Sequence, residues 1–182
     1  MKHKNNIVSV FGSSRPKQGD PEYLLAYDMG KGLAKAGYTV CNGGYGGIME
    51  ATARGAKDSG GQTIGIVTEV FSAKANSYID RPIITKTLNE RLLKLVELGD
   101  AYVVLRGGTG TLLELSTAWE YINKKIIEER PIVVVGEFWS PIIETMNNQL
   151  ESEAPRKAVR HVTLVASANE CVEVLNRKLG GR

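Results

Sequence analysis

Cysteine and histidine are scarce in this chain of 182 residues, which contains two of each. Cys41 and Cys171 lie far apart in different predicted elements, so we expect no disulfide framework and a reducing, cytoplasmic environment. No cysteines and histidines occur at metal-ligand spacing, and no metal site is predicted. His3 lies near the terminus and His161 beside a late strand, and neither is assigned a chemical role.

Long apolar runs and a strong charge imbalance are also missing. No segment is long enough to span a bilayer and no signal-peptide-like apolar region is present, so we expect no membrane association. The net charge is +3 with scattered basic residues. This does not favour nucleic acid as a partner, but it is compatible with a small anionic ligand. The length and the 42% hydrophobic content predict a single globular domain over residues 1–182.

What the sequence does contain is an alternation of apolar runs with stretches of helical periodicity. The apolar runs are rich in Val and Ile and lack polar alternation, as in a parallel sheet that is buried on both faces. We therefore predict an α/β fold with three layers and a doubly wound, mainly parallel, Rossmann-like sheet. Strands are predicted at 7–11, 38–42, 63–67, 82–85, 101–105, 131–135 and 162–166. Helices are predicted at 21–36, 47–58, 87–98, 111–127, 139–150 and 168–179.

Glycine clusters where three of the predicted strands end. Ligands of parallel sheets bind beyond the carboxyl ends of the strands. Glycine lets an oxyanion approach the backbone, and the following helix adds free N–H groups and the positive end of its dipole. A single glycine turn can serve only to reverse the chain, but three on one edge predict a site for a phosphate and its sugar. The residues are Gly12, Ser13 and Ser14; Gly43, Gly44, Gly46 and Gly47; and Gly107, Gly108, Thr109, Gly110 and Thr111.

Three familiar kinds of site do not fit these turns. The dinucleotide fingerprint G-x-G-x-x-G would need glycine at Met49 in one turn and at Leu113 in another. The Lys-Ser/Thr pair of a Walker loop is missing. No lysine lies in the glycine turns, so the sequence does not predict a pyridoxal-dependent lysine decarboxylase.

Two charged residues accompany the turns. Arg91 lies inside the apolar stripe of the third predicted helix, where it needs an anion, forms a structural salt bridge or snorkels to solvent. Glu114 follows the last glycine turn, either in a capping box with Thr111 as N-cap or as an acid beside a bound ligand. Both alternatives stay open on the local pattern. The apolar stripe of the fourth helix is predicted as Leu112, Leu115, Trp119, Ile122 and Ile126.

These segments together resemble the Lonely Guy (LOG) family. Residues 106–114, RGGTGTLLE, are similar to the family signature P-G-G-x-G-T-x-x-E, with Arg106 in place of proline. Residues 43–50 resemble an earlier family turn that ends in G-L-M-G and includes Met49, with Glu50 in place of the last glycine. The family's first strand followed by G-S-S matches residues 11–14.

The resemblance covers roughly residues 7–150 and implies an activity. Members hydrolyse the N-glycosidic bond of nucleoside 5′-monophosphates, cytokinin ribotides or AMP, giving free base and ribose 5-phosphate without a cofactor. By resemblance, Arg91 and Glu114 are the catalytic pair and residues 107–111 hold the 5′-phosphate. Relatives of the same fold include molybdenum-cofactor carriers, so a nucleotide- or cofactor-binding protein without turnover is the alternative. The family also implies a homodimer, for which the sequence offers the helix side that carries Trp119, Tyr121 and Ile122.

Overall fold

The computed structural model describes residues 6–153 and 161–180, so His3 lies outside the described residues. Strands and helices alternate along the chain except between the third and fourth strands, which a loop joins, and the sequence predicts the same order. None of the described helices combines the length and the apolar character that a membrane crossing requires. The strands are β1 Ile7–Phe11, β2 Thr39–Asn42, β3 Thr63–Thr68, β4 Arg81–Thr85, β5 Ala101–Val104, β6 Ile132–Val135 and β7 Val162–Val165. The helices are α1 Pro21–Lys35, α2 Ile48–Asp58, α3 Leu88–Leu98, α4 Thr109–Asn123, α5 Ser140–Glu153 and α6 Ala168–Leu179.

All seven strands run parallel in one sheet, in the order β4-β3-β2-β1-β5-β6-β7. The strand order reverses at β1, where Val8 is paired with Val40 of β2 on one side and with Ala101 of β5 on the other. The chain therefore winds outward from β1 in both directions. This confirms the predicted doubly wound α/β fold, and it places the topological switch point between β1 and β5.

The sheet separates two apolar clusters, because successive strand residues point to opposite faces. Val8 and Val10 of β1 belong to the cluster that α1, α2 and α6 cover, whereas Phe11 belongs to the cluster that α3, α4 and α5 cover. Cys41 and Cys171 lie in different clusters and are both free thiols, in agreement with the expected lack of a disulfide between them. The last strand, β7, forms one edge of the sheet, and α6 packs against α1 and β6.

The start of α4 differs from its prediction. The helix begins at Thr109 with Gly108 as an extended N-cap residue, two residues earlier than expected. Thr111 is therefore a helical residue, and its side chain packs beneath Gly107 with only 4% exposure. Of the two alternatives for Glu114, the capping box with Thr111 is therefore excluded. A capping interaction of this type occurs instead at the start of α3, where the Glu90 amide donates to the Thr87 hydroxyl.

The end of α4 also differs, since the helix stops at Asn123 rather than near residue 127. Lys125 adopts a φ of 57°, a left-handed conformation that an α-helix does not contain. Ile126 is consequently 61% exposed, so its predicted place in the apolar stripe is wrong. Leu115, Trp119 and Ile122 do form that stripe and are buried in the core.

Helices α1 and α2 cross closely at two glycines, and this crossing gives a test of the packing. A Cβ atom on Gly55 would overlap the carbonyl of Tyr27, and one on Gly30 would overlap the carbonyl of Thr52. We expect Gly55→Ala to lower the free energy of unfolding by about 1–3 kcal/mol through overpacking, although Ala favours a helix by about 1 kcal/mol. Urea unfolding measures this change.

The matched control is Gly110→Ala in the first turn of α4, because no atom lies within 4 Å of its Cβ position. This variant should be as stable as the wild type or slightly more stable. Equal stability of the Gly55 and Gly110 variants would contradict the close crossing.

Candidate functional site

The three glycine turns meet at the carboxyl edge of the sheet, around the switch point. The Ser13 amide donates to the carbonyl of Arg106 at 3.1 Å, which joins the turn after β1 to the turn after β5. The Ile48 amide donates to the Ser13 carbonyl at 2.8 Å, which joins the turn after β2 to the same point. Gly12 and Ser13 are half-buried between these turns, whereas Ser14 is exposed. The predicted convergence of the turns is therefore present in the structure.

The start of α4 has the character of an anion-binding loop. Gly108, Thr109 and Gly110 are exposed at the end of β5, and Gly107 is half-buried. The amides of the first helical turn have no intrahelical acceptor, and they lie at the positive end of the helix dipole. Gly107 and Gly108 leave the approach to these amides free of side chains. This turn can therefore accept a phosphate through its backbone.

The turn after β2 surrounds the side chain of Arg91. A Cβ atom on Gly43 would overlap both the Arg91 guanidinium and the Met49 sulfur, so this glycine makes room for the arginine. Gly47 has a φ of 66°, and a Cβ atom there would overlap the Ser13 carbonyl. Gly44 is buried and Gly46 half-buried beside them. This turn holds Arg91 and the β1 turn in place, and its predicted direct contact with a ligand stays a prediction.

Arg91 lies at the start of α3, and backbone carbonyls fix its guanidinium. Its Nε donates to the Ile66 carbonyl at 2.8 Å and its Nη2 to the Gly43 carbonyl at 3.2 Å. The ring of Tyr45 lies 5.4 Å from the guanidinium carbon, within the range of a cation–π contact. The remaining nitrogen, Nη1, lies 3.8 Å from Oε1 of Glu114. Arg91 is therefore neither a snorkelling side chain nor unpaired.

Glu114 faces Arg91 from the second turn of α4, and both side chains are strongly buried, at 13% and 14% exposure. Burial raises the pKa of Glu114 to about 7, while the nearby Arg91 charge opposes this shift. The separation of 3.8 Å is longer than a hydrogen bond, so the guanidinium only partly offsets the loss of hydration. The carboxyl group thus exchanges its proton near neutral pH.

Sequence reasoning missed the aromatic side of the site. Tyr45 packs on Arg91, and the exposed Phe71 contacts Tyr45 edge-on with ring centroids 6.0 Å apart. The signal was present in the sequence, because Tyr45 is the one large residue between the glycines of the second turn. Phe71 gave no signal, since it lies in an irregular loop far from the turns along the chain.

Arg106 and Glu50, two of the departures from the LOG pattern, both contact α1. Nη1 of Arg106 lies 3.1 Å from a carboxylate oxygen of Glu22, and its guanidinium lies over the ring of Phe138. Glu50 accepts a hydrogen bond of 2.9 Å from the Tyr23 hydroxyl. Both side chains therefore tie glycine turns to the first turn of α1.

No group of three or more His, Cys, Asp or Glu side chains that could hold a metal ion occurs within residues 6–153 and 161–180. His161 lies at the opposite, amino end of the sheet, where its Nδ1 is 3.5 Å from a carboxylate oxygen of Glu129. It takes no part in the candidate site.

A parallel sheet with a glycine-rich helix start and an arginine–carboxylate pair at its switch point is typical of Rossmann-like proteins, which bind small molecules at this edge of the sheet. A sequence profile of the SLOG cluster4 family matches residues 5–172. The chain belongs to this LOG-type family, which confirms the resemblance predicted from the sequence.

Relatives and solved structures agree with the family assignment. A cytokinin riboside 5′-monophosphate phosphoribohydrolase of Mycobacterium tuberculosis is 37% identical over 133 residues, covering 70% of this chain and 69% of the relative. The enzyme of the same name from Rhodococcoides fascians is 29% identical and covers 75% and 71%, respectively. Among solved structures, the molybdenum cofactor binding protein of Rippkaea orientalis has a TM-score of 0.76 and 26% identity, covering 97% and 99%.

The raised pKa of Glu114 makes the stability of the protein depend on pH. Because this pKa lies above its ordinary value of 4.5, the folded chain binds more protons than the unfolded chain between pH 4.5 and about 7. The contribution of Glu114 to stability therefore falls as the pH rises through this window. Glu114→Gln cannot ionise, so from pH about 4.5 to about 8 it should gain up to about 3 kcal/mol of stability relative to the wild type.

Urea unfolding of both proteins across this pH range measures the difference. A stability difference that stays constant with pH would show that Glu114 keeps its ordinary pKa.

Proposed function

We propose that the protein hydrolyses the N-glycosidic bond of nucleoside 5′-monophosphates, with AMP or a cytokinin ribotide as substrate, to free base and ribose 5-phosphate. The observation that carries this proposal is the Arg91–Glu114 pair at 3.8 Å, buried next to a helix start that can accept phosphate. The names of the mycobacterial and rhodococcal relatives support the same reaction.

The first step of the proposed reaction is binding of the substrate's 5′-phosphate at the start of α4. The backbone amides of residues 109–111 donate hydrogen bonds to the 5′-phosphate, the positive end of the helix dipole attracts it, and the glycines before them leave room for it. Binding energy from this remote group then orients the ribose over Glu114, one helical turn further on. The phosphate thereby brings the sugar to the carboxylate.

Glu114 acts in its ionised form. Departure of the base leaves positive charge on C1′ and the ring oxygen of the ribose, as in other glycoside hydrolyses. A carboxylate held in a site of low polarity stabilises this charge. As water adds its oxygen to C1′, the carboxylate can accept the water's proton and pass it to the base, which leaves with the electron pair of the broken bond. A pKa near 7 suits this exchange, because the group can take up and release a proton at neutral pH.

The guanidinium of Arg91 is held in a fixed position next to the Glu114 carboxylate. Two of its nitrogens are held by the carbonyls of Ile66 and Gly43, and the third faces Glu114. Its charge lowers the pKa of Glu114 against the effect of burial, so it keeps a larger fraction of the carboxyl ionised. It also leaves a positive group beside the ribose.

Substitution of the pair tests the proposal. We expect Glu114→Gln to lower kcat by at least about 100-fold, since a neutral amide cannot stabilise the developing cation. Arg91→Lys keeps the charge but loses the fork that binds two carbonyls, and it should lower kcat by about tenfold or more. Chromatography of free base released from AMP and from isopentenyladenine ribotide measures both effects.

The control is Glu97→Gln, which removes a carboxylate with 60% exposure from the last turn of α3 and should leave turnover unchanged. Full activity of Glu114→Gln would remove the catalytic assignment.

A binding protein without turnover is the second candidate, because the molybdenum cofactor binding protein of Rippkaea orientalis shares the fold over nearly the whole chain. The same assay separates the two functions. Binding of AMP by calorimetry without any release of base would favour the carrier. Release of base that depends on Glu114 favours the hydrolase.

We further propose that the protein is a homodimer joined through α3 and α4. The helix side expected from the sequence is wrong in part, because Trp119 and Ile122 are buried in the core of the same chain. Tyr121 instead lines a groove of about 460 Å³ between the two helices, together with Leu92 and Leu93. Leu88 and Leu113 nearby are exposed to 45% and 55%, respectively. An apolar face of this kind is suited to a second copy.

Light scattering after gel filtration tests this arrangement. The wild type should elute with about twice the 19.8 kDa mass of the chain. Leu92→Arg places a charge in the groove and should give the monomer mass. Leu24→Arg, on α1 and 53% exposed, is the control and should remain dimeric. A monomeric wild type would contradict the proposal.

A further inference from the structure

Two aromatic residues extend the site away from the phosphate-binding turn. The Arg91 guanidinium has Glu114 on one side, at 3.8 Å, and the ring of Tyr45 against it at 5.4 Å. Phe71 lies beyond Tyr45, with ring centroids 6.0 Å apart and an interplanar angle of 71°. Glu114, Arg91, Tyr45 and Phe71 thus form a continuous row of contacts.

Tyr45 is held rigidly in this row. Its hydroxyl accepts a hydrogen bond from the Thr68 amide at 2.8 Å and lies 2.8 Å from the carbonyl of Ser72, to which it donates. Asn76 donates to the carbonyls of Gly44 and Tyr45 from the same loop. The loop that carries Phe71 is therefore attached to the second glycine turn at several points, and the ring of Phe71 is presented from a supported backbone.

The order of the strands sets the direction of this row. The phosphate-binding turn follows β5, and Arg91 binds carbonyls of β3 and of the turn after β2. Neighbouring strands lie about 4.8 Å apart, so the path from the α4 start past β1 to Arg91 is on the order of 10 Å. A nucleoside monophosphate has about this length from its phosphate to its base. With the phosphate at α4 and the ribose at Glu114, the base reaches Arg91 and the aromatic pair.

We propose that Phe71 and Tyr45 form the wall against which the nucleobase of the substrate packs, an inference that rests on the proposed function. Phe71 is 63% exposed, so its ring is free to contact a planar base. Aromatic side chains and guanidinium planes are the usual stacking partners of unpaired bases. Phe71 is therefore a specificity-determining residue that contacts the base and leaves the sugar and phosphate to other groups.

The test compares a ligand that has a base with one that lacks it. AMP and ribose 5-phosphate are titrated calorimetrically into a Glu114→Gln host, which keeps AMP intact during the measurement. We expect Phe71→Ala in this host to weaken AMP binding about tenfold and to change ribose 5-phosphate binding by less than about twofold. Phe71→Trp should restore AMP binding, because it keeps a large aromatic face.

Val70→Ala is the matched control, since Val70 is the preceding residue of the same loop and is 55% exposed. It should leave the affinity for both ligands unchanged. Unchanged AMP binding in Phe71→Ala would overturn the inference while leaving the proposed function intact. An equal loss for both ligands would also overturn it, because Phe71 would then act through Arg91 rather than on the base. A host that binds neither ligand would overturn the inference and the proposed function together.

Discussion

The guanidinium of Arg91 determines the arrangement of the site, because a buried charge requires partners on every side. Carbonyls at the ends of two strands satisfy two of its nitrogens, a tyrosine ring covers its face, and Glu114 meets the third nitrogen. Gly43 cannot carry a side chain for this reason. Burial raises the pKa of Glu114, and the charge of Arg91 opposes this rise, so that part of the Glu114 carboxyl is ionised at neutral pH.

The doubly wound sheet explains why such a pair can form at all. Arg91 lies in the first turn of the helix after β4, an edge strand, and Glu114 lies in the helix after β5, an internal strand. Both helices cover the same face of the sheet and begin at its carboxyl edge, so residues 23 positions apart in the sequence meet there. The order of the strands, and not proximity in the sequence, therefore places the two side chains next to each other.

The sequence predicted the elements, the sheet class and the meeting of the glycine turns, because Val- and Ile-rich runs and glycine clusters are strong local signals. It could not distinguish a capping box from a catalytic acid at Glu114. Both patterns require the same residue types at the same spacing, and the start of α4 at Thr109 excludes the capping box. The sequence could not predict the role of Phe71 for a different reason. Its contact with Tyr45 depends on how an irregular loop folds back at the sheet edge.

Two departures from the LOG pattern, Arg106 and Glu50, have a structural explanation in their contacts with α1. Arg106 pairs with Glu22 and Glu50 with Tyr23, so the substituted residues bind successive positions of α1. The charge of Arg106 is paired with the Glu22 carboxylate, outside the turn that we propose to bind the phosphate. In this chain a proline and a glycine of the family pattern are thus replaced by side chains that fasten two turns to one helix. The substitutions alter how the turns are held and leave Arg91 and Glu114 in place.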